Sequence, residues 1–207
     1  MLKSIQNYCN QLIKEFDLIG SDRKGILKKL AEYIQAKKSK NEAVNLIYIC
    51  THNSRRSHFG QVWASVAANY YLIDQVSAFS GGTEATAFNK NAMDALKRIG
   101  FQLKQTEQIQ NPKYKVIYGQ SGESVDCFSK VYDHPINPKT DFAAVMTCSE
   151  AEQNCPFIPG VDLRIATTYD DPKASDGSAL EAQVYDERCR QIACETFYVF
   201  SLIKNKL

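Results

Sequence analysis

Apolar residues recur every three or four positions through two stretches at the start of the chain. Over residues 3–18 they are Ile5, Tyr8, Leu12, Ile13 and Phe16; over 23–37 they are Ile26, Leu27, Leu30 and Ile34. That spacing gathers them on one face of a helix, so the pattern predicts two amphipathic helices, the second capped by Ser21 or Asp22. A polar Lys-Ser-Lys-Asn break at 38–41 follows. Residues 1–40 therefore read as a helical extension packed on a main domain spanning 41–207.

From residue 44 the pattern alternates between short apolar runs and helical spacing. Strand 44–50 leads into helix 56–70, and strand 75–80 into a Gly81-Gly82 turn. A helix over about 89–99 carries Ala92, Met93, Leu96 and Ile99 on one face. A wholly apolar strand at 142–146, a short strand near 162–167 and a long helix over about 178–203 complete the series. Strands alternating with helices predict an α/β fold, a parallel sheet of about four strands with helices on both faces. Right-handed crossovers then set the strand C-terminal ends along one edge, where such sheets bind ligands. Residues 114–132 break the alternation. Two strand-like runs, 114–118 and 125–131, flank a Gly-containing turn, so an inserted β-hairpin is expected there.

Composition narrows the functional classes. The 207 residues suit one domain with an appendage, and a net charge of +2 gives no reason to expect nucleic acid or an anionic membrane as partner. The first residues lack the apolar core of a signal peptide, and no apolar run reaches membrane-spanning length. The seven cysteines (9, 50, 127, 148, 155, 189 and 194) are not spaced like a secreted disulfide framework, nor do they join the three histidines in a zinc-like pattern. The expectation is a reduced, cytoplasmic chain with no metal and no cofactor. Cys9, Cys127, Cys189 and Cys194 read as small core residues.

The other three cysteines sit in chemically suggestive places. Cys50 ends a strand and opens the loop Thr51-His52-Asn53-Ser54-Arg55-Arg56-Ser57, which feeds a helix N-terminus. First-turn amides there have no intrahelical partner, and the helix dipole adds positive potential, so oxyanions bind well at such a place. Arg56 can fork two hydrogen bonds onto a tetrahedral oxyanion, and the same field favours the nucleophilic thiolate of Cys50. Cys148 ends the 142–146 strand and should reach the same sheet edge. Cys155 lies seven residues further on, and an intact helix would hold the pair about 10 Å apart. A disulfide between them thus requires the segment to rearrange, which suits a switchable bond. Asp170 and Asp171, before Pro172, are ordinary turn residues that could also exchange protons beside Cys50.

Cys50-x5-Arg56-Ser57, Ser80-Gly81-Gly82, Cys148-x6-Cys155-Pro156 and Tyr169-Asp170-Asp171-Pro172 together resemble the low-molecular-weight protein tyrosine phosphatase superfamily. Within it they are most similar to the thioredoxin-coupled arsenate reductases, over roughly residues 44–203. The resemblance implies that Cys50 is the nucleophile, that Arg56 and the loop (51–57) receive the oxyanion, that Ser57 hydrogen-bonds the thiolate, and that Asp171 transfers protons. It implies further that Cys148 attacks the Cys50–arsenic adduct, that Cys155 resolves the Cys50–Cys148 disulfide, and that thioredoxin or a similar dithiol restores the enzyme. Several positions depart from the family pattern. His52 stands where glycine is usual and Arg55 where a second cysteine is frequent. Gln61 replaces an acidic residue of those reductases that bind a potassium ion beside the loop. The competing readings are a phosphatase working through a Cys50 phosphothiol, with Cys148 and Cys155 protecting the nucleophile, and a non-catalytic anion-sensing or interaction module.

Overall fold

The computed structural model describes residues 1–106, 110–154 and 157–204. Its central sheet is parallel, with strands β1 (Val44–Cys50), β2 (Val76–Gly82), β6 (Phe142–Met146) and β7 (Val161–Ala166) in the order β2-β1-β6-β7. Alternate residues of β1 serve opposite cores. Val44, Leu46 and Tyr48 face one cluster and Ile47 and Ile49 the other, which is why the strand is apolar at nearly every position. The larger face is covered by α2 (Ser21–Ser39), α3 (Arg56–Tyr70), α4 (Lys90–Ile99) and α6 (Glu181–Lys204). The other is closed by the short α5 (Ser149–Asn154) together with Tyr132 and Ile158. Helical cover is therefore unequal, and the thin face lies next to the strand end that carries Cys148.

The N-terminal residues share the main core. Helix α1 (Lys3–Leu12) buries Ile5, Cys9 and Leu12, and α2 buries Leu27, Leu30 and Ile34. The single helix expected over 3–18 instead tightens after Leu12 into a 3-10 turn (Ile13–Leu18). That turn carries Glu15 onto Arg190 and Phe16 onto the edge of the Tyr198 ring, both in α6. Neither Ser21 nor Asp22 caps α2. Gly20 is the N-cap residue and makes no side-chain bond, so both polar residues already lie in the first turn. Asn89 does cap α4, accepting from the Ala92 amide at 3.1 Å.

The inserted hairpin is present as β4 (Tyr114–Ile117) and β5 (Ser124–Cys127), but β3 (Gln102–Gln105) joins it to make a three-stranded antiparallel sheet. Polar Gln102, Lys104 and Gln105 leave β3 without an apolar signature. The second hairpin strand also ends at Cys127, short of the expected 131. Residues beyond it turn along the end of β2, where the Gly82 amide donates to the Lys130 carbonyl and the Tyr132 amide to the Gly82 carbonyl, both at 2.9 Å. Among the described residues no helix is long and apolar enough to cross a membrane.

Candidate active site

Strand β1 delivers Cys50 to the C-terminal edge of the sheet, and the chain then loops through residues 51–55 into α3. The loop turns its carbonyls outward. Those of Cys50, Thr51 and Ser54 accept from the amides of Thr83, Glu84 and Asn89, and that of His52 accepts from the hydroxyls of Ser129 (2.9 Å) and Thr86 (3.2 Å). No amide of residues 52–55 donates a hydrogen bond among the described residues, and α3 has no side-chain cap. Outward carbonyls and unspent amides make an anion cradle. Gly82 is needed beside it: a Cβ there would lie 2.5 Å from the Thr51 carbonyl oxygen and 2.7 Å from the Asn53 nitrogen. Gly82→Ala should displace the loop at an overpacking cost of about 1–3 kcal/mol. More phosphate should then be needed to shield Cys50 from iodoacetamide; an unchanged half-protecting concentration would show that the loop tolerates the push.

Cys50 is buried, with its sulfur 3.1 Å from Ser57 Oγ. Asn53 Nδ2 donates to that same hydroxyl at 2.8 Å, so Ser57 is free to point its own hydrogen at the sulfur. Asn53 is fully buried and takes the left-handed conformation (φ 44°), whereas His52 does not have a positive φ. The bend therefore falls on asparagine, one of the residues that tolerate it, and histidine at the usual glycine position is accommodated. The His52 ring lies 3.7 Å from Glu84.

Arg56, 7% exposed, donates from Nη1 to the Tyr169 carbonyl (2.8 Å) and from Nη2 to Asp171 (2.5 Å), while its buried Nε has no partner among the described residues. Asp171 also caps the 3-10 turn Pro172–Ser175 through the Lys173 amide. Asp170 points away: its side chain is 97% exposed and meets Arg188 at 3.3 Å. Arg55 donates to the Tyr185 hydroxyl (2.7 Å), pairs with Asp176 (3.4 Å) and approaches the Asp171 carboxylate at 4.0 Å.

Cys148 arrives from β6, which neighbours β1; the Thr147 amide donates to the Ile49 carbonyl at 2.7 Å. Its sulfur accepts from the Ala151 amide (3.3 Å) and lies 3.4 Å from Thr51 Oγ1. Thr51 in turn donates to Glu150 at 2.8 Å. Cys155 lies outside the described residues. Burial pushes the thiols of Cys9, Cys127 and Cys189 up to about 12 and that of Cys194 to about 11, which suits inert core residues. Gln61, at the position of the missing acid, donates to the Asp126 carbonyl and accepts from the Cys127 thiol.

Sequence reading did not single out Ser129, Lys130, Glu150, Asp176 or Tyr185. Ser129, Lys130 and Tyr185 reach the site from distant segments, whereas Asp176 closes the short turn that Asp171 opens. Glu150 stands two residues from Cys148, and its carboxylate so close to a cysteine was the available signal.

A buried cysteine, an amide-lined loop and an arginine, set at the C-terminal edge of a β2-β1-β6-β7 parallel sheet, define the low-molecular-weight protein tyrosine phosphatase fold. The low-molecular-weight phosphotyrosine phosphatase of Vibrio cholerae O395 superimposes with a TM-score of 0.52 at 12% identity, over 79% of this chain and 99% of that one. In sequence the chain is similar to arsenate reductases. It is 27% identical to that of Bacillus subtilis (strain 168) and 28% identical to that of Halalkalibacterium halodurans, each over 145 residues covering 70% of this chain and 86% of the relative. No family model matches the chain.

Proposed function

We propose that this protein reduces arsenate to arsenite through Cys50, Cys148 and Cys155. The Cys50 thiolate attacks arsenic(V), displacing an oxygen that leaves as water and forming a sulfur–arsenic bond. The Cys148 thiolate attacks the Cys50 sulfur. A disulfide forms, the sulfur–arsenic bond breaks, and its electron pair leaves with arsenic as arsenite. Cys155 then attacks Cys148, releasing Cys50 as thiolate, and an external dithiol such as thioredoxin reduces the Cys148–Cys155 disulfide. Residues 52–55 and Arg56 hold the oxyanion, and Ser57 steadies the thiolate.

The observation that carries this reading is the setting of Cys148: its sulfur contacts the first residue of the anion loop and accepts a helix-terminal amide. Thr51, already donating to Glu150, can accept the Cys148 proton and pass its own to that carboxylate, so the second nucleophile has a route to its reactive form. The arsenate reductases that match over most of the chain support the same substrate.

The second reading, phosphomonoester hydrolysis through a Cys50 phosphothiol, is favoured by Asp171. An entering oxyanion competes with this carboxylate for Arg56, and a released Asp171 faces the leaving oxygen. The two readings separate on purified protein. With thioredoxin, its reductase and NADPH, arsenate is expected to drive NADPH oxidation. No coupling alongside fast hydrolysis of an aryl phosphate would assign the protein to phosphatase chemistry instead.

A further inference from the structure

Behind the anion loop lies a charged residue that neither reading uses. Lys130 is 3% exposed, and among the described residues its ammonium meets the Ser80 hydroxyl, at 3.4 Å, and the face of the Phe128 ring, 4.6 Å from its centroid. Among the described residues it has no ion pair. A buried ammonium without a counter-ion is costly, and one long hydrogen bond with one ring offsets only part of that cost.

Among the described residues the titratable groups that act on it are His58, Cys127 and His134, none of them a carboxylate. Burial, helped by Lys130, lowers the His58 imidazole to about 3, so this ring beside Ser80 is neutral. Burial raises the Cys127 thiol to about 12, so it too is neutral. His134, lowered by burial and by the lysines near it, adds no negative charge either. Lys130 itself is lowered by burial to about 8 and still carries its proton at neutral pH.

The backbone of the same residue is tied to the nucleophile. The Lys130 amide donates to Asn53 Oδ1 (2.9 Å), Asn53 Nδ2 donates to Ser57 Oγ, and Ser57 faces the Cys50 sulfur. Every donor in this series points toward Cys50, so negative charge at the sulfur or in the cradle is the natural counterpart of the lysine.

We propose that Lys130 is a positioning residue, the chain's own fixed cation beneath the anion loop, whose charge strengthens oxyanion binding and the reactivity of Cys50. The proposal rests on the oxyanion-loop reading above.

The test reads inorganic phosphate binding by its protection of Cys50 from iodoacetamide, and the KM and kcat of aryl-phosphate hydrolysis. Lys130→Met should weaken phosphate binding about tenfold or more and raise KM more than it lowers kcat. Lys130→Arg should keep most of the affinity. If the methionine variant folds poorly, Lys130→Ala in propylammonium chloride decides, because the free amine should restore phosphate binding and equimolar propanol should not. Wild-type affinity in folded Lys130→Met, or equal rescue by propanol, would overturn the proposal by showing that volume rather than charge matters. Absence of phosphate protection in the wild type would instead overturn the oxyanion-loop reading, and the role of Lys130 with it.

Discussion

Cys148→Ser is expected to bring thioredoxin-dependent arsenate reduction to background while leaving aryl-phosphate hydrolysis largely intact. In the proposed sequence Cys148 attacks the Cys50 sulfur so that the sulfur–arsenic bond pair leaves with arsenic, and serine cannot form the disulfide that expels arsenite. The sulfur takes no part in the anion cradle; its contacts are Thr51 and the Ala151 amide. Mass spectrometry of the variant after arsenate treatment should therefore find no disulfide at Cys50. Cys155→Ser should complete one turnover and stop as a Cys50–Cys148 disulfide. Sustained turnover in either variant would remove that cysteine from the cascade.

The second large effect is expected at Asp171. Asp171→Asn should lower turnover on poorly activated phosphate esters by about 10²–10⁴-fold, the usual worth of a general acid. The same change removes a carboxylate that competes for Arg56. Phosphate should then bind more tightly by about 1 kcal/mol, or roughly fivefold, a modest gain because the carboxylate is partly exposed. Opposite signs in kcat and affinity are the signature, since loss of folding would weaken both. Asp170→Asn should change little, because its side chain lies in solvent. If Asp170 proves the sensitive residue, proton transfer must be reassigned to it.

The sequence announced the fold where pattern and burial agree. β1 and β6 are buried on both faces and read as nearly continuous apolar runs, and α4 shows its apolar face at Ala92, Met93 and Leu96. β3 stayed hidden because an exposed edge strand needs no apolar alternation. The 3-10 turn after α1 was equally silent, since its geometry goes with the Glu15–Arg190 pair formed across the fold. The site divides the same way. Cys50 to Ser57 is one contiguous loop whose chemistry is local, so nucleophile, cradle and arginine could be read together. Adjacent aspartates look alike in local pattern; the resemblance picked out Asp171, next to Pro172, and it is the Asp171 carboxylate that meets Arg56. Lys130 lay inside an expected strand, where a lysine reads as an outward-facing residue; only its approach to β2 buries it.

Helices α1 and α2 close over α6, and Arg23 of α2 reaches the Thr167 carbonyl (3.0 Å) and Glu195 (2.9 Å), just ahead of the segment that carries Asp171. On a ribosome the first 40 residues are made long before their docking surface. Some 140 residues separate the end of α2 from the start of α6, about 7–30 s of translation at 5–20 residues per second. Until α6 arrives, Ile5, Leu12, Leu27, Leu30 and Ile34 lack a large part of the surface that covers them in the folded protein. The N-terminal helices thus gain their full cover, and Arg23 its Glu195 partner, only when the C-terminal helix has been made.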